Sequence, residues 1–177
     1  MKYSDIPQFK TYNPHYRIQV ELLYFDDTIN DFEKEYNLIL NPDFQRGHVW
    51  TEKQQKEYVE YFLQGGMSGR DIYFNSPSWF KKAQTNYNEF VCVDGLQRIT
   101  ALRKFWNNKL KVFGYYRSEI EGSPRGFQWM NIHVNDLQTK EDVLRWYIQI
   151  NSSGTPHSEE EINRIKELLK QEIDNNK

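Results

Sequence analysis

Net charge, cysteine and long apolar runs are all scarce in this chain of 177 residues. A formal net charge of −2 gives the whole-molecule field no strong nonspecific pull on nucleic acid, and leaves only a local basic face to provide one. The single cysteine, Cys92, excludes an internal disulfide framework and fits a reducing compartment. No stretch approaches the ~20 apolar residues of a membrane-spanning helix. The opening MKYSDIPQFK lacks the apolar core of a signal peptide. Four histidines, His15, His48, His133 and His157, are scattered without metal-ligand spacing, and GGMSGR (65–70) lacks the lysine of a P-loop. Repeats, low-complexity tracts and obvious linkers are missing too. One soluble, cytoplasmic domain spanning 1–177 is therefore expected.

Aromatic side chains are plentiful: 11 Phe, 12 Tyr and 5 Trp supply a core without staples. YRIQVELLY (16–24) reads as a strand, being rich in β-branched and aromatic residues, and DDTINDFEKEYN (26–37) as a short helix. LILNPDF (38–44) is extended, since Pro42 biases Asn41 away from the helical region. TEKQQKEYVEYFLQGG (51–66) is the clearest helix. Thr51 and Gln54 form a capping box, Gln55, Tyr58, Val59 and Phe62 share a side, and Gly65-Gly66 is the stop.

DIYFN (71–75) reads as a short strand and 76–88 as a loop. EFVCVDG (89–95), apolar at alternating and intervening positions alike, suits a central strand buried on both sides. A helix from Leu96 to about Asn107 follows. KLKVFGYYRS and FQWMNIHVND look like two further strands. Thr139 starts a helix through KEDVLRWYIQI, and Ser158 with Glu161 caps a final one. Strands and helices interspersed without a strict βαβ rhythm predict an α+β domain with a mixed sheet.

The stretch VCVDGLQRITAL (91–102) raises the functional question. A buried strand running through Asp94-Gly95 into a helix leaves free backbone N–H groups at the helix start, a natural seat for phosphate. The same residues also read as an N-cap, Asp94, with Gln97 at the third helical position, which needs no ligand. Arg98 adds weight to the first reading. Projected at about 100° per residue, it falls among Leu102, Phe105 and Ile99 on the apolar side of the helix. A guanidinium turned inward must find an anion, either a carboxylate such as Asp94 or a phosphate.

A second candidate is DFQRGHVWTEKQ (43–54), where a loop between an extended segment and a capped helix carries Gln45, Arg46, His48 and Trp50. Trp50 fits a hydrophobic staple packing on Tyr58 or a neighbour. The third, INSSGTPHS (150–158), offers Asn151, hydroxyls and Gly154 at a helix end, and equally fits an ordinary C-terminal turn. His133 reads as packed or surface, and Cys92 as core.

NPDFQRGHVWTEKQQ, VCVDGLQRITAL and INSSGTPHSEEE, in this order over about residues 36 to 168, resemble the N-terminal domain family of GmrSD-type restriction systems. That family belongs to the ParB/sulfiredoxin-like superfamily. The resemblance implies a ParB/sulfiredoxin-like α+β fold, its mixed sheet flanked by helices, in which the strand–loop–helix of the Asp-Gly…Gln-Arg signature binds a nucleoside triphosphate. In GmrSD-like proteins nucleotide turnover is tied to attack on foreign or modified DNA.

Carried onto this chain, Asp94 and Gln97 would serve catalysis, with Asp94 holding Mg²⁺ or positioning water. Gly95, Arg98, Arg46 and Gln45 would hold the nucleotide, and Asn151 with Gly154 would lie at its rim. DNA, and a partner nuclease or defence protein, would be the macromolecular partners. Leu96 stands where the family usually shows glutamine, and with the sequence ending soon after the third motif neither an appended nuclease domain nor a His-Asn-His-like cluster is expected. With no cysteine in the signature loop, sulfiredoxin chemistry is not expected. A nucleotide-hydrolysing component of DNA restriction is the leading expectation. The alternatives are a non-catalytic nucleotide- or DNA-binding regulator of the kind a phage or mobile element carries, and a stand-alone ParB-like nuclease.

Overall fold

A computed structural model describes residues 2–7, 16–45, 47, 49–80, 82–126, 128–152 and 159–175. It is an α+β fold with one four-stranded mixed sheet: β1 (Tyr16–Glu21), β2 (Asp71–Asn75), β3 (Val91–Asp94) and β4 (Trp129–Asn135), in the order β1-β4-β2-β3. β1 runs antiparallel to β4, β4 parallel to β2, and β2 antiparallel to β3. The helices are α1 (Leu22–Glu35), α2 (Glu52–Leu63), α3 (Leu96–Trp106), α4 (Lys140–Ser152) and α5 (Glu159–Asn175).

Alternation along the strands creates two unlike sheet faces. Val20, Ile72, Phe74, Cys92, Met130, Ile132 and Val134 point into one core, shared with Phe25 and Ile29 of α1, Val59 and Phe62 of α2, and Ile99, Leu102 and Phe105 of α3. On the other face Val91 and Val93 meet Val143, Leu144, Trp146 and Tyr147 of α4 and Ile165 of α5. That second core covers the β3 side of the sheet. Toward β1 the same face turns polar, with Arg17 and Gln19 exposed.

Three expectations need correction. The first strand stops at Glu21, and the helix begins at Leu22 rather than Asp26. Leu22, Phe25, Ile29 and Phe32 are buried along one helical stripe, so the apolar ELLYF belongs to a 3.6-residue period, not to an extended one. β3 is an edge strand, not a central one. It is buried on both faces as expected, Val91, Cys92 and Val93 all having 0% exposure. Its free edge is covered by the 38–40 segment, where the Ile39 N–H donates to the Phe90 carbonyl and the Cys92 N–H to the Ile39 carbonyl, at 2.8 and 2.9 Å. Finally, KLKVFGYYRS forms no strand. Phe113 and Gly114 take φ of 52° and 85°, closing a two-residue turn between Val112 and Tyr115, and a 3-10 turn follows at Arg117–Glu119.

Other expectations hold. Thr51 Oγ1 accepts from the Gln54 N–H and Gln54 Oε1 from the Thr51 N–H, so the capping box forms. Trp50 packs on Tyr58 with ring centroids 5.3 Å apart. Thr139 caps α4 by accepting from the Asp142 N–H. The expected cap at Ser158 lies outside the described residues.

Helix α3 is tied to α1 by a cationic hub. Arg103 Nε donates to Asp26 Oδ1 at 2.8 Å, Nη1 to Glu33 at 2.7 Å and Nη2 to Asn30 at 2.5 Å. Asn107 Nδ2 adds a bond to the second Asp26 oxygen at 3.0 Å. Replacing Arg103 with Met leaves the buried Asp26 carboxylate with the neutral Asn107 amide and without its cation. Urea unfolding should show a loss of about 2 kcal/mol, the worth of a charge-assisted bond in a part-buried setting. Lys53→Ala, which removes an exposed pair to Glu57, should leave the midpoint unchanged.

Candidate functional site

The strand-to-helix joint sets the geometry. Gly95, at φ 115°, lets the chain pass from β3 into α3 within one residue. A Cβ at this position would stand 3.0 Å from Ile72 Cγ1, 3.1 Å from its Cγ2 and 3.3 Å from its Cα. Both the backbone angle and the neighbour therefore demand glycine.

Gly95 itself is the N-cap, and it has no side chain with which to cap the helix. The expected Asp94 cap with Gln97 at the third helical position does not form. Asp94 remains the last residue of β3, because the left-handed turn at Gly95 delays the helix start by one residue. The N-cap residue thus brings no side chain to the first-turn N–H groups of α3; the Leu96 N–H faces the buried Cys92 sulfur, and an N-cap without a side chain leaves room for an anion.

Asp94 instead meets Arg98, whose Nη2 donates to Asp94 Oδ2 at 2.6 Å. The guanidinium is mostly shielded, with 20% of its side chain exposed, and its buried Nε has no partner among the described residues. The stem runs beside Gly69, where an added Cβ would come within 3.8 Å of Arg98 Cδ, and close to Tyr58. Burial works to lower the Arg98 pKa, yet the Asp94 carboxylate overcomes it, and the net shift is upward. The cation is therefore firmly charged and incompletely matched. Burial likewise drives the Tyr58 hydroxyl well above the usual tyrosine range, against the pull of Arg98 and Arg70, while its O–H donates to the Gly69 carbonyl at 2.9 Å.

The loop of the first motif is clamped onto this joint. Gln45 Nε2 donates to the Cys92 carbonyl at 2.7 Å. The Gln97 amide serves both ways: Oε1 accepts from the Val49 and Trp50 N–H groups at 3.0 and 3.1 Å, and Nε2 donates to the Gly47 carbonyl at 2.8 Å. Further back, Phe44 is buried against Tyr147, Lys140 pairs with Asp43 at 2.6 Å, and Arg164 Nη2 donates to the Phe44 carbonyl at 2.6 Å. Arg46 lies outside the described residues, as do His48 and Gly154. The residues on either side of Arg46 are nonetheless bonded to β3 and α3. Asn151 is buried in α4, where its Nδ2 donates to the Tyr147 carbonyl one turn earlier, at 2.8 Å.

A polar row on the sheet extends the site, and inspection of the sequence did not reveal it. Strand register aligns Arg17 with His133, His133 with Tyr73, and Tyr73 with Asp94, one residue from each strand. The Tyr73 and His133 rings stack with centroids 4.7 Å apart. His133 Nε2 lies 2.7 Å from Asp71 Oδ1, and its Nδ1 is buried without a partner among the described residues. Burial foremost, then the Asp71 and Asp94 carboxylates, raise the Tyr73 pKa, with Arg98 and Arg17 opposing. The period-two pattern Trp129, Asn131, His133 in β4 is the one local signal, since it puts polar groups on a shared face.

Among the described residues no group of three or more His, Cys, Asp or Glu could hold a metal ion, and no helix is long and apolar enough to cross a membrane.

Two substitutions test the joint. Gly95→Ala should cost about 2 kcal/mol in chemical unfolding, from backbone strain and the Ile72 contact together. Gln97→Ala should keep the fold. It should also speed amide exchange at Val49 and Trp50 by about tenfold, the share of one to two lost hydrogen bonds, when read by hydrogen–deuterium exchange.

The family described as GmrSD restriction endonuclease, N-terminal domain, matches the chain over residues 25–125. The match takes in the first two motifs and leaves the third beyond its end. Neither the curated proteins nor the solved structures yield a match.

Proposed function

The chain belongs to the family of GmrSD restriction endonuclease N-terminal domains, and on that premise we propose that it binds and hydrolyses a nucleoside triphosphate in the restriction of foreign or modified DNA. The observation that carries this reading is the pairing of an α3 N-cap that has no side chain with a shielded, incompletely matched Arg98. The ParB/sulfiredoxin-like identity of the fold is part of the same proposal.

Each residue then has a task. Gly95 keeps the helix start bare so that backbone N–H groups reach phosphate oxygens. Arg98 supplies a planar cation for those oxygens, an electrostatic role that needs no movement of charge. Gln45 and Gln97 are positioning residues, since both amides hold the loop on which Arg46 sits. Asp94 leaves Arg98 to face the nucleotide, where it orients water or contributes one carboxylate to Mg²⁺. With no protein cage of three ligands among the described residues, that ion would arrive with the phosphates, as Mg²⁺ commonly does. Bound Mg²⁺ supplies charge neutralisation at the phosphates. Asn151 and Gly154 complete the rim in this reading, and a nuclease or other defence protein is the partner.

A second reading is a nucleotide- or DNA-binding switch without turnover. Leu96 favours it, because the position where the family usually carries glutamine is here a core residue, 8% exposed.

Nucleotide affinity by calorimetry and phosphate release over a panel of triphosphates separate the two. Arg98→Ala should weaken binding about tenfold or more while the circular dichroism spectrum is kept. Asp94→Asn should retain binding and lose release by about 100-fold. Binding without release by the native chain selects the switch. If the native chain binds no triphosphate, or binds equally well without Arg98, the hydrolysis reading and the nucleotide switch both fail, and a DNA-binding switch is what is left.

A further inference from the structure

Residues 104–125 depart from the acidic balance of the chain. They carry Lys104, Lys109, Lys111, Arg117 and Arg125 against Glu119 and Glu121, within a protein whose net charge is −2. This segment begins in the last turn of α3, at the other end of that helix from Gly95.

Its centre is a rigid hairpin. Leu110 and Val112 are buried at 3% and 0% exposure and root it in the main core. Val112 and Tyr115 exchange backbone bonds of 2.8 and 3.0 Å, and the Asn108 side chain accepts from the Ser118 N–H at 2.8 Å. At its tip Phe113 occupies φ 52°, a left-handed angle that suits Asn or Gly and strains a bulky aromatic residue. Phe113 as a residue is 46% exposed, so strain at this position is not repaid by full burial. Tyr115, at 57%, stands beside it.

Directly behind the tip is a hollow of about 250 Å³, lined by Phe105, Trp106, Phe113 and Ile120, with Arg117 and Arg125 on its walls. The volume falls below the ~300–1,000 Å³ of pockets for drug-sized ligands, so one flat ring system suits it better than a whole nucleotide. Glu121 also lines it, which places a hydrogen-bond acceptor near Arg117, whose guanidinium is held by the Ile120 and Gly122 carbonyls at 3.1 and 3.4 Å. Lys111 lies over the Tyr116 ring at 4.8 Å and the Arg117 guanidinium over Trp106 at 5.0 Å. Two nearby carboxylates are turned onto backbone: Glu60 accepts from the Phe113 N–H and Glu119 from the Tyr116 N–H.

We propose that the Phe113 hairpin is a wedge that enters a DNA base step, and that the hollow behind it receives the displaced base. An exposed aromatic held rigidly at a strained angle can unstack bases, lysines beside it meet phosphates, and an aromatic-walled cavity with polar groups reads a flipped base. The proposal rests on the reading that this domain contacts DNA, and adds where and how. It does not depend on nucleotide hydrolysis.

The test uses a duplex oligonucleotide carrying 2-aminopurine, the full chain and Phe113→Asn. Asparagine accepts the left-handed angle and removes the ring. Thermal stability should therefore hold or rise, while DNA affinity falls at least tenfold and the 2-aminopurine fluorescence gain of the native chain disappears. A lower Tm for Phe113→Asn would make Phe113 a packing residue and overturn the proposal. So would a variant that binds and unstacks as well as the native chain, an outcome that leaves the DNA-contact reading intact. A native chain without DNA affinity at any salt concentration sinks both.

Discussion

A buried strand must become a helix within a single residue at Gly95, and the surroundings of that turn depend on it. With φ of 115° and Ile72 in contact distance, no other residue fits without strain. The turn leaves Asp94 at the end of β3 and carries Arg98 one helical turn onward, so the two meet across 2.6 Å. It also aims Gln97 outward, toward a loop some fifty residues earlier in the chain. Were the helix to begin one residue sooner, with Asp94 as its cap, the carboxylate would be spent on backbone N–H groups and the guanidinium would lose its counter-charge.

The electrostatics of the joint are those of a site held in readiness. A shielded arginine normally collects acceptors until its donors are matched. Here one carboxylate is present, one buried Nε lacks a partner among the described residues, and the helix beside it starts on a residue with no side chain. The first-motif loop is brought to the same place by unrelated contacts: a buried Phe44, a Gln45 bond to a strand carbonyl, and three bonds to the Gln97 amide. Positional redundancy of this kind belongs to a segment whose backbone must not drift. Membership of the GmrSD N-terminal domain family gives such a segment its functional context.

Local chemistry was readable in advance, and non-local chemistry was not. The Thr51–Gln54 box, the Trp50–Tyr58 staple and the strand–glycine–helix passage at 91–106 involve neighbours in sequence, and all are present. The inward direction of Arg98 followed from helical projection alone. The edge position of β3 did not, because the segment around Ile39 hides that edge as thoroughly as another strand would. Nor did the start of α1, where Leu22 and Phe25 satisfy strand propensity and helical period alike. The row of Arg17, His133, Tyr73 and Asp94 draws one residue from each of four strands, and only register assembles it. The turn at Phe113 defied expectation for another reason: an aromatic residue there runs against backbone preference, and propensity reads it as strand.

Helix α3 carries two arginines of different kinds. Arg103 is matched by Asp26, Glu33 and Asn30, all from α1, whereas Arg98 is matched in part. The outer portion of the helix is thereby moored to a neighbour, while its opening turn carries the partly matched Arg98. Such a beam, pinned at one end, cannot slide or recoil as a body when charge arrives at the other. A ligand seated at Gly95, as proposed, would be accommodated by side chains and by the tethered loop, with the response confined to the few ångströms around the joint.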